Sequence, residues 1–166
     1  MRQNSIFIIL YSRLTKALIE KKCREQKLYT TPRLNDVLYL HYLGLETLGT
    51  ESENCLEEYT ALKCLWLENN ALEAIAPPNA LTAQTELRSL FLHNNALSRV
   101  EHLDHLSKLN CLNLSANLIN NLTGLSNLNS LTNLDLSNNR IEDACQLEVL
   151  KSNFFNLNPY FALKKI

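Results

Sequence analysis

Residues 109–119 read Leu-Asn-Cys-Leu-Asn-Leu-Ser-Ala-Asn-Leu-Ile, and the chain repeats this spacing of residue types. Leucine stands at the first, fourth and sixth positions, asparagine at the ninth, and leucine or isoleucine at the eleventh. The other copies begin at Leu62, Leu87 and Leu131. Because alternate residues of a strand point to opposite faces, each copy predicts a short strand that buries its leucines on one face.

The distance between copies predicts how the strands are connected. Equivalent strand leucines are Leu40, Leu67, Leu92, Leu114 and Leu136, so the spacings are 27, 25, 22 and 22 residues. A period of 22 leaves room for a strand and a tight return such as a 3₁₀ turn. This is the leucine-rich-repeat pattern. We therefore predict an α/β leucine-rich-repeat solenoid, with a curved parallel β-sheet on the concave face and 3₁₀ or loop returns on the convex face.

The return segments carry apolar residues that should complete the core from the convex side. They are Val100, Leu103 and Leu106 in one repeat, and Leu122, Leu125 and Leu128 in the next. The two longest repeats contain insertions, one at residues 49–54 and one around Pro77 and Pro78. We expect the first to be a polar surface loop. Both insertions should lengthen the returns and leave the strands unchanged.

The flanking residues suggest four parts. Residues 15–26 have a helical apolar pattern with Thr15 as N-cap, so residues 13–32 are expected to form a capping helix and turn. Residues 33–150 form a repeat domain of about five repeats. Residues 1–12 have no repeat register and form an N-terminal extension, for which disorder is one expectation, and residues 151–166 form a divergent or truncated last repeat. A solenoid ending there would expose an apolar layer, so we expect a segment of a longer protein.

The repeated asparagine should have a structural role. A short amide side chain supplies both a donor and an acceptor, which suits the bend where each strand enters its return. We expect these side chains to hydrogen-bond backbone groups of adjacent turns and call them the asparagine ladder: Asn70, Asn95, Asn117 and Asn139.

Side chains between the core leucines should face outward. Three large rings then align on adjacent strands, and we call them the aromatic strip: Tyr39, Trp66 and Phe91. Such rings anchor many protein interfaces, although they could instead stack on one another or be covered by the terminal extension. The predicted partner-binding residues of the concave face are Tyr39, His41, Trp66, Glu68, Phe91, His93, Asn113 and Asp135.

Other site chemistries find little support. His41 and His93 should lie two strands apart, roughly 10 Å, which is too far to share one zinc ion. No GxSxG, HExxH or glycine-rich phosphate loop occurs, so we expect neither catalysis nor a metal or cofactor. The net charge of −1 gives no case for nucleic acid, and no segment is long enough to span a membrane. A monomer is expected.

The five cysteines do not suggest a disulfide framework, because their number is odd and no CxxC occurs. Cys64 and Cys111 hold the same strand position two repeats apart, roughly 10 Å, which is too far to bridge. Reduced thiols in the cytosol are the expectation.

Three stretches are more specific than the repeat itself. They are residues 26–42 (QKLYTTPRLNDVLYLHY), 56–70 (LEEYTALKCLWLENN) and 84–92 (QTELRSLFL). With them, roughly residues 14–142 resemble the N-terminal repeat domain of the leucine-rich-repeat dynein axonemal assembly factors. The resemblance implies a cytoplasmic protein that assists preassembly of axonemal dynein arms and cilium assembly, with association with the cilium or flagellum also open. It implies axonemal dynein chains or assembly co-chaperones as partners.

Two other classes remain open. Repeats of 22 residues also resemble a regulatory subunit of a protein phosphatase. A secreted recognition receptor would require cleavage of residues 1–12 and a glycan on Asn121, which begins an Asn-Leu-Thr triplet.

Overall fold

The repeated strand cores pair side by side in a computed structural model, which describes residues 13–142. The predicted extension and last repeat, and Cys145, lie outside the described residues. In chain order the strands are β1 (Val37–Tyr39), β2 (Gly49–Thr50), β3 (Glu53–Asn54), β4 (Cys64–Trp66), β5 (Ser89–Phe91), β6 (Cys111–Asn113) and β7 (Asn133–Asp135). One parallel sheet has the order β1-β4-β5-β6-β7. This confirms the predicted leucine-rich-repeat solenoid.

The core lies between the sheet and the returns. The central leucines of the five strands pair in register and are at most 2% exposed: Leu38, Leu65, Leu90, Leu112 and Leu134. All six apolar return residues are buried as predicted, and one return contains a 3₁₀ helix, Thr123–Leu125. Each buried leucine contributes about 1.5–3 kcal/mol by leaving water, so this layer supplies much of the drive to fold.

The asparagine ladder connects successive turns through their backbones. Asn117 Nδ2 donates to the carbonyl oxygens of Leu92 and Leu114, both at 3.0 Å, and its Oδ1 accepts from the Leu97 N–H at 3.0 Å. Asn70, Asn95 and Asn139 make the equivalent bonds in their own repeats. Every such side chain therefore ties its own turn to the preceding one.

A left-handed residue lies three positions after each strand of the parallel sheet and turns the chain toward the return. The corresponding residues have φ between 53° and 58° and are Tyr42, Asn69, Asn94, Ala116 and Asn138. Asparagine tolerates this region better than other residues with a Cβ, which explains part of the asparagine content beyond the ladder.

Helix α1, Lys16–Glu25, lies ahead of the first repeat, close to its predicted bounds. The Thr15 side chain accepts from the Leu18 N–H at 3.2 Å, which is the predicted N-cap bond. The helix buries Leu18, Ile19 and Cys23 in the common core. Gln26 Nε2 donates to the Tyr39 carbonyl at 3.0 Å, so the end of this helix is fixed directly to strand β1.

The insertion at 49–54 is a β-hairpin rather than the predicted loop. Strands β2 and β3 pair antiparallel, with Gly49 opposite Asn54. Gly49 has φ +147°, and a Cβ there would lie 2.7 Å from the Glu53 carbonyl oxygen. Glycine permits both the backbone conformation and the close approach, which is why these polar residues can pair.

Replacing Asn117 with Ala should lower the free energy of unfolding by about 1–3 kcal/mol, because buried backbone groups of two turns lose their partners. Asn117→Asp should lower it further, since a carboxylate would face the carbonyls of Leu92 and Leu114. Urea denaturation measures both changes. Asn129→Ala, at an exposed asparagine of a return, serves as the control, and an equal loss from it would contradict the assigned role.

Two glycines allow a matched comparison. A Cβ on Gly124 would lie 1.7 Å from the Val100 carbonyl oxygen, whereas a Cβ on Gly44 would meet nothing within 4 Å. Gly124→Ala should therefore destabilise by about 3 kcal/mol or more, because two returns must separate. Gly44→Ala should lose only about 1 kcal/mol, from its φ of +68°. Thermal unfolding of the two variants should rank them in this order.

Candidate protein-binding face

The aromatic strip forms on the outward side of the sheet. Tyr39 pairs with Trp66, and Trp66 with Phe91, in the parallel register. The Trp66 and Phe91 rings stack with centroids 4.0 Å apart and planes 17° apart, while the Tyr39 ring lies 6.1 Å from Trp66. All three side chains are half-buried. The three rings therefore form one continuous apolar surface, and Trp66 and Phe91 also stack on each other, which the sequence left as an alternative.

Two cysteines, Cys64 and Cys111, lie at outward positions of strands β4 and β6, beside the aromatic strip and the polar half of the face. Burial raises the pKa of the Cys64 thiol, and the nearby Trp66 side chain lowers it by a smaller amount. Burial also raises the pKa of Cys111. Ser89 lies between these cysteines in the sheet register, and both are free thiols. They are therefore held as neutral thiols at neutral pH and are weak nucleophiles.

A second outward column, which we call the polar column, consists of His41, Glu68 and His93. The backbone ladder continues past the strands, because the Tyr42 N–H donates to the Glu68 carbonyl and the Asn69 N–H to the His93 carbonyl. The three side chains therefore come from adjacent positions, with Glu68 in the middle. Glu68 is only 7% exposed, so its neighbours cover most of this outward side chain.

The polar column is short of hydrogen-bond partners. His41 Nδ1 lies 3.6 Å from Glu68 Oε1, which is longer than a hydrogen bond. Glu68 Oε2, His41 Nδ1 and His93 Nδ1 are all buried without a partner. A buried polar atom without a partner costs about 1–3 kcal/mol, so this column is a costly feature of the face.

The remaining predicted residues lie on the polar half of the face. Asn113 Oδ1 accepts from the Ser115 N–H and hydroxyl at 3.0 and 2.8 Å. Asp135 Oδ1 accepts from the Ser137 N–H and hydroxyl at 3.0 and 2.7 Å. Because these bonds are local, both side chains are held against their own strands. The structure thus aligns all eight predicted residues on one face, with aromatic and polar halves.

Two further features of residues 13–142 bear on function. No set of three or more histidine, cysteine, aspartate or glutamate side chains is arranged to hold a metal ion. Within the same residues, every helix is too short or too polar to cross a bilayer.

The parallel register, the leucine core and the asparagine bonds define a leucine-rich-repeat protein. Sixty-one residues, 37% of the chain, are 54% identical to the dynein axonemal assembly factor 1 homolog of Drosophila melanogaster. Fifty-five residues, 33% of the chain, are 54% identical to dynein axonemal assembly factor 1 of Rattus norvegicus. The predicted resemblance to dynein axonemal assembly factors is confirmed over this part. The matched segments span only 4% of the fly protein and 8% of the rat protein.

The fold also matches a solved leucine-rich-repeat structure. An internalin from Listeria monocytogenes superposes with a TM-score of 0.58 and 26% identity, covering 77% of this chain and 42% of the internalin. No protein-family model matches the chain.

Trp66 is the single tryptophan, so its fluorescence reports directly on the aromatic strip. Phe91→Ala should shift the emission to longer wavelength, because one face of the indole ring loses its stacked neighbour and meets water. Ser89→Ala, at an outward position of the same strand, should leave the emission unchanged. An unshifted spectrum of folded Phe91→Ala would contradict the stacked arrangement.

Proposed function

We propose that this chain is a non-enzymatic protein-binding scaffold that takes part in the preassembly of axonemal dynein arms. The supporting observation is a continuous aromatic strip on a leucine-rich-repeat sheet, in a chain of which a third matches proteins named dynein axonemal assembly factor 1. The scaffold holds a dynein chain or an assembly co-chaperone against the concave face.

The physical case for binding rests on the strip. Aromatic side chains bury much area at little cost in conformational entropy, and clusters of them dominate the energetics of many interfaces. Stacking keeps Trp66 and Phe91 rigid before a partner arrives, which reduces the ordering needed on binding. The function places the protein in the cytoplasm of ciliated or flagellated cells, acting as a monomer, with association with the cilium as an extension of that role.

A pull-down from the cytoplasm of ciliated cells tests this proposal. The full chain should retain axonemal dynein chains or assembly co-chaperones. The double variant Trp66→Ala/Phe91→Ala should retain about tenfold less of them, because two aromatic anchors are truncated. Circular dichroism should first establish that the variant is folded.

Tyr29→Ala is a matched control, because Tyr29 is an exposed aromatic residue, 61% accessible, that lies outside the sheet. It should retain the same dynein chains as the unmodified protein. Equal retention by the folded double variant would refute the role of the strip. Recovery of a protein phosphatase catalytic subunit without dynein chains would instead favour the phosphatase-regulator alternative.

A further inference from the structure

We propose that Glu68 is a recognition site for an arginine side chain carried by an extended segment of the protein partner. The inference rests on the proposed protein-binding function of the concave face and specifies the chemistry of what that face binds. It joins two observations: a buried carboxylate without a hydrogen-bond partner on Oε2, and a binding face without lysine or arginine at the outward positions of the described sheet.

The carboxylate of Glu68 has unused hydrogen-bonding capacity. The residue is 7% exposed and its side chain 10% exposed, yet Oε2 has no hydrogen-bond partner. Its neighbour His41 comes no closer than 3.6 Å to Oε1. Burying a carboxylate oxygen without a hydrogen-bond donor is unfavourable. The arrangement is therefore better explained by a binding site for an external donor than by a structural contact within the chain. Binding therefore requires the Glu68 side chain to rotate so that Oε2 reaches the surface, a kind of change that is common when interfaces form.

The charge of the surrounding face favours a cation. Each of the five repeats has three outward positions, two in its sheet strand and one two residues past the strand, centred on Tyr39, Trp66, Phe91, Asn113 and Asp135. Among these positions of the described sheet, the carboxylates are Glu68 and Asp135, the titratable bases are His41 and His93, and lysine and arginine do not occur. Complementary charge both steers a partner and selects among partners.

The neighbouring rings favour arginine over lysine. Trp66 lies two residues before Glu68, at the adjacent outward position of the same repeat, roughly 7 Å away. The methylene stem of an arginine can cross the edges of the stacked rings while its planar guanidinium donates to both oxygens of the carboxylate. An ammonium group provides only a point charge at the same place.

Selection from a phage-displayed random-peptide library on the full, unmodified chain tests the inference. The enriched peptides should share an arginine at one position. A synthetic enriched peptide should bind at least about tenfold more tightly than its citrulline counterpart, because citrulline has nearly the same shape without the charge. The variant Glu68→Gln should abolish this difference, and the control Glu73→Gln, which removes an exposed carboxylate of a return, should preserve it.

Thermal unfolding accompanies the binding measurement. Glu68→Gln should unfold at the same temperature as the unmodified chain or higher, since Oε2 gives up no hydrogen bond. A marked loss of stability would assign Glu68 a structural role and overturn the inference, as would enriched peptides without a shared arginine, or no enrichment. If enriched peptides without a shared arginine bind the chain and Trp66→Ala weakens their binding, the proposed scaffold function stands while the arginine site fails. Binding of Zn²⁺ by the unmodified chain that Glu68→Gln removes would overturn it in favour of a metal site.

Discussion

The bonds from asparagine side chains to the backbone are the constraint on which the solenoid depends. At each bend the chain leaves the sheet, and backbone groups are enclosed where strand pairing cannot reach them. Asn95 Nδ2 donates to the Leu67 and Leu92 carbonyls, and its Oδ1 accepts from the Leu72 N–H. Since each amide bonds backbone groups of two turns, the backbone groups at a bend have all their hydrogen-bond partners only when the adjacent repeat is folded beside them. Stability is therefore shared between adjacent repeats rather than held within one.

The register that follows from these bonds determines the chemistry of the outward face. Residues 25 to 27 positions apart in sequence become neighbours, so three rings make one strip and Glu68 lies between two histidines. Toward β7 the positions equivalent to the three rings hold Asn113 and Asp135. Their side-chain oxygens accept hydrogen bonds from serines two residues further along the chain. The face is thus divided into an aromatic half with an unpartnered carboxylate and a polar half that is locally satisfied.

The sequence predicted the strands, the core and the alignment of the face because a fixed spacing repeats, and spacing determines pairing. It did not predict the hairpin at Gly49–Asn54, because the intervening Glu51 and Ser52 lack the usual hairpin-turn signal. Burial of Glu68 was also missed, since alternation predicts which way a side chain points but not how much its neighbours cover it. Gln84 was missed too, because it lies in a return, where no alternation indicates direction: it is fully buried and donates to the Leu56 carbonyl at 2.7 Å.

The two insertions lie on the return side, and the five strands keep an unbroken register beside repeats of unequal length. Backbone hydrogen bonding fixes the separation of neighbouring strands at about 4.8 Å whatever the length of the segment that joins them. Evolution could therefore add or remove residues on the outer circumference of this protein, or an engineer could graft a loop there, while the side chains that meet a partner stay at constant pitch.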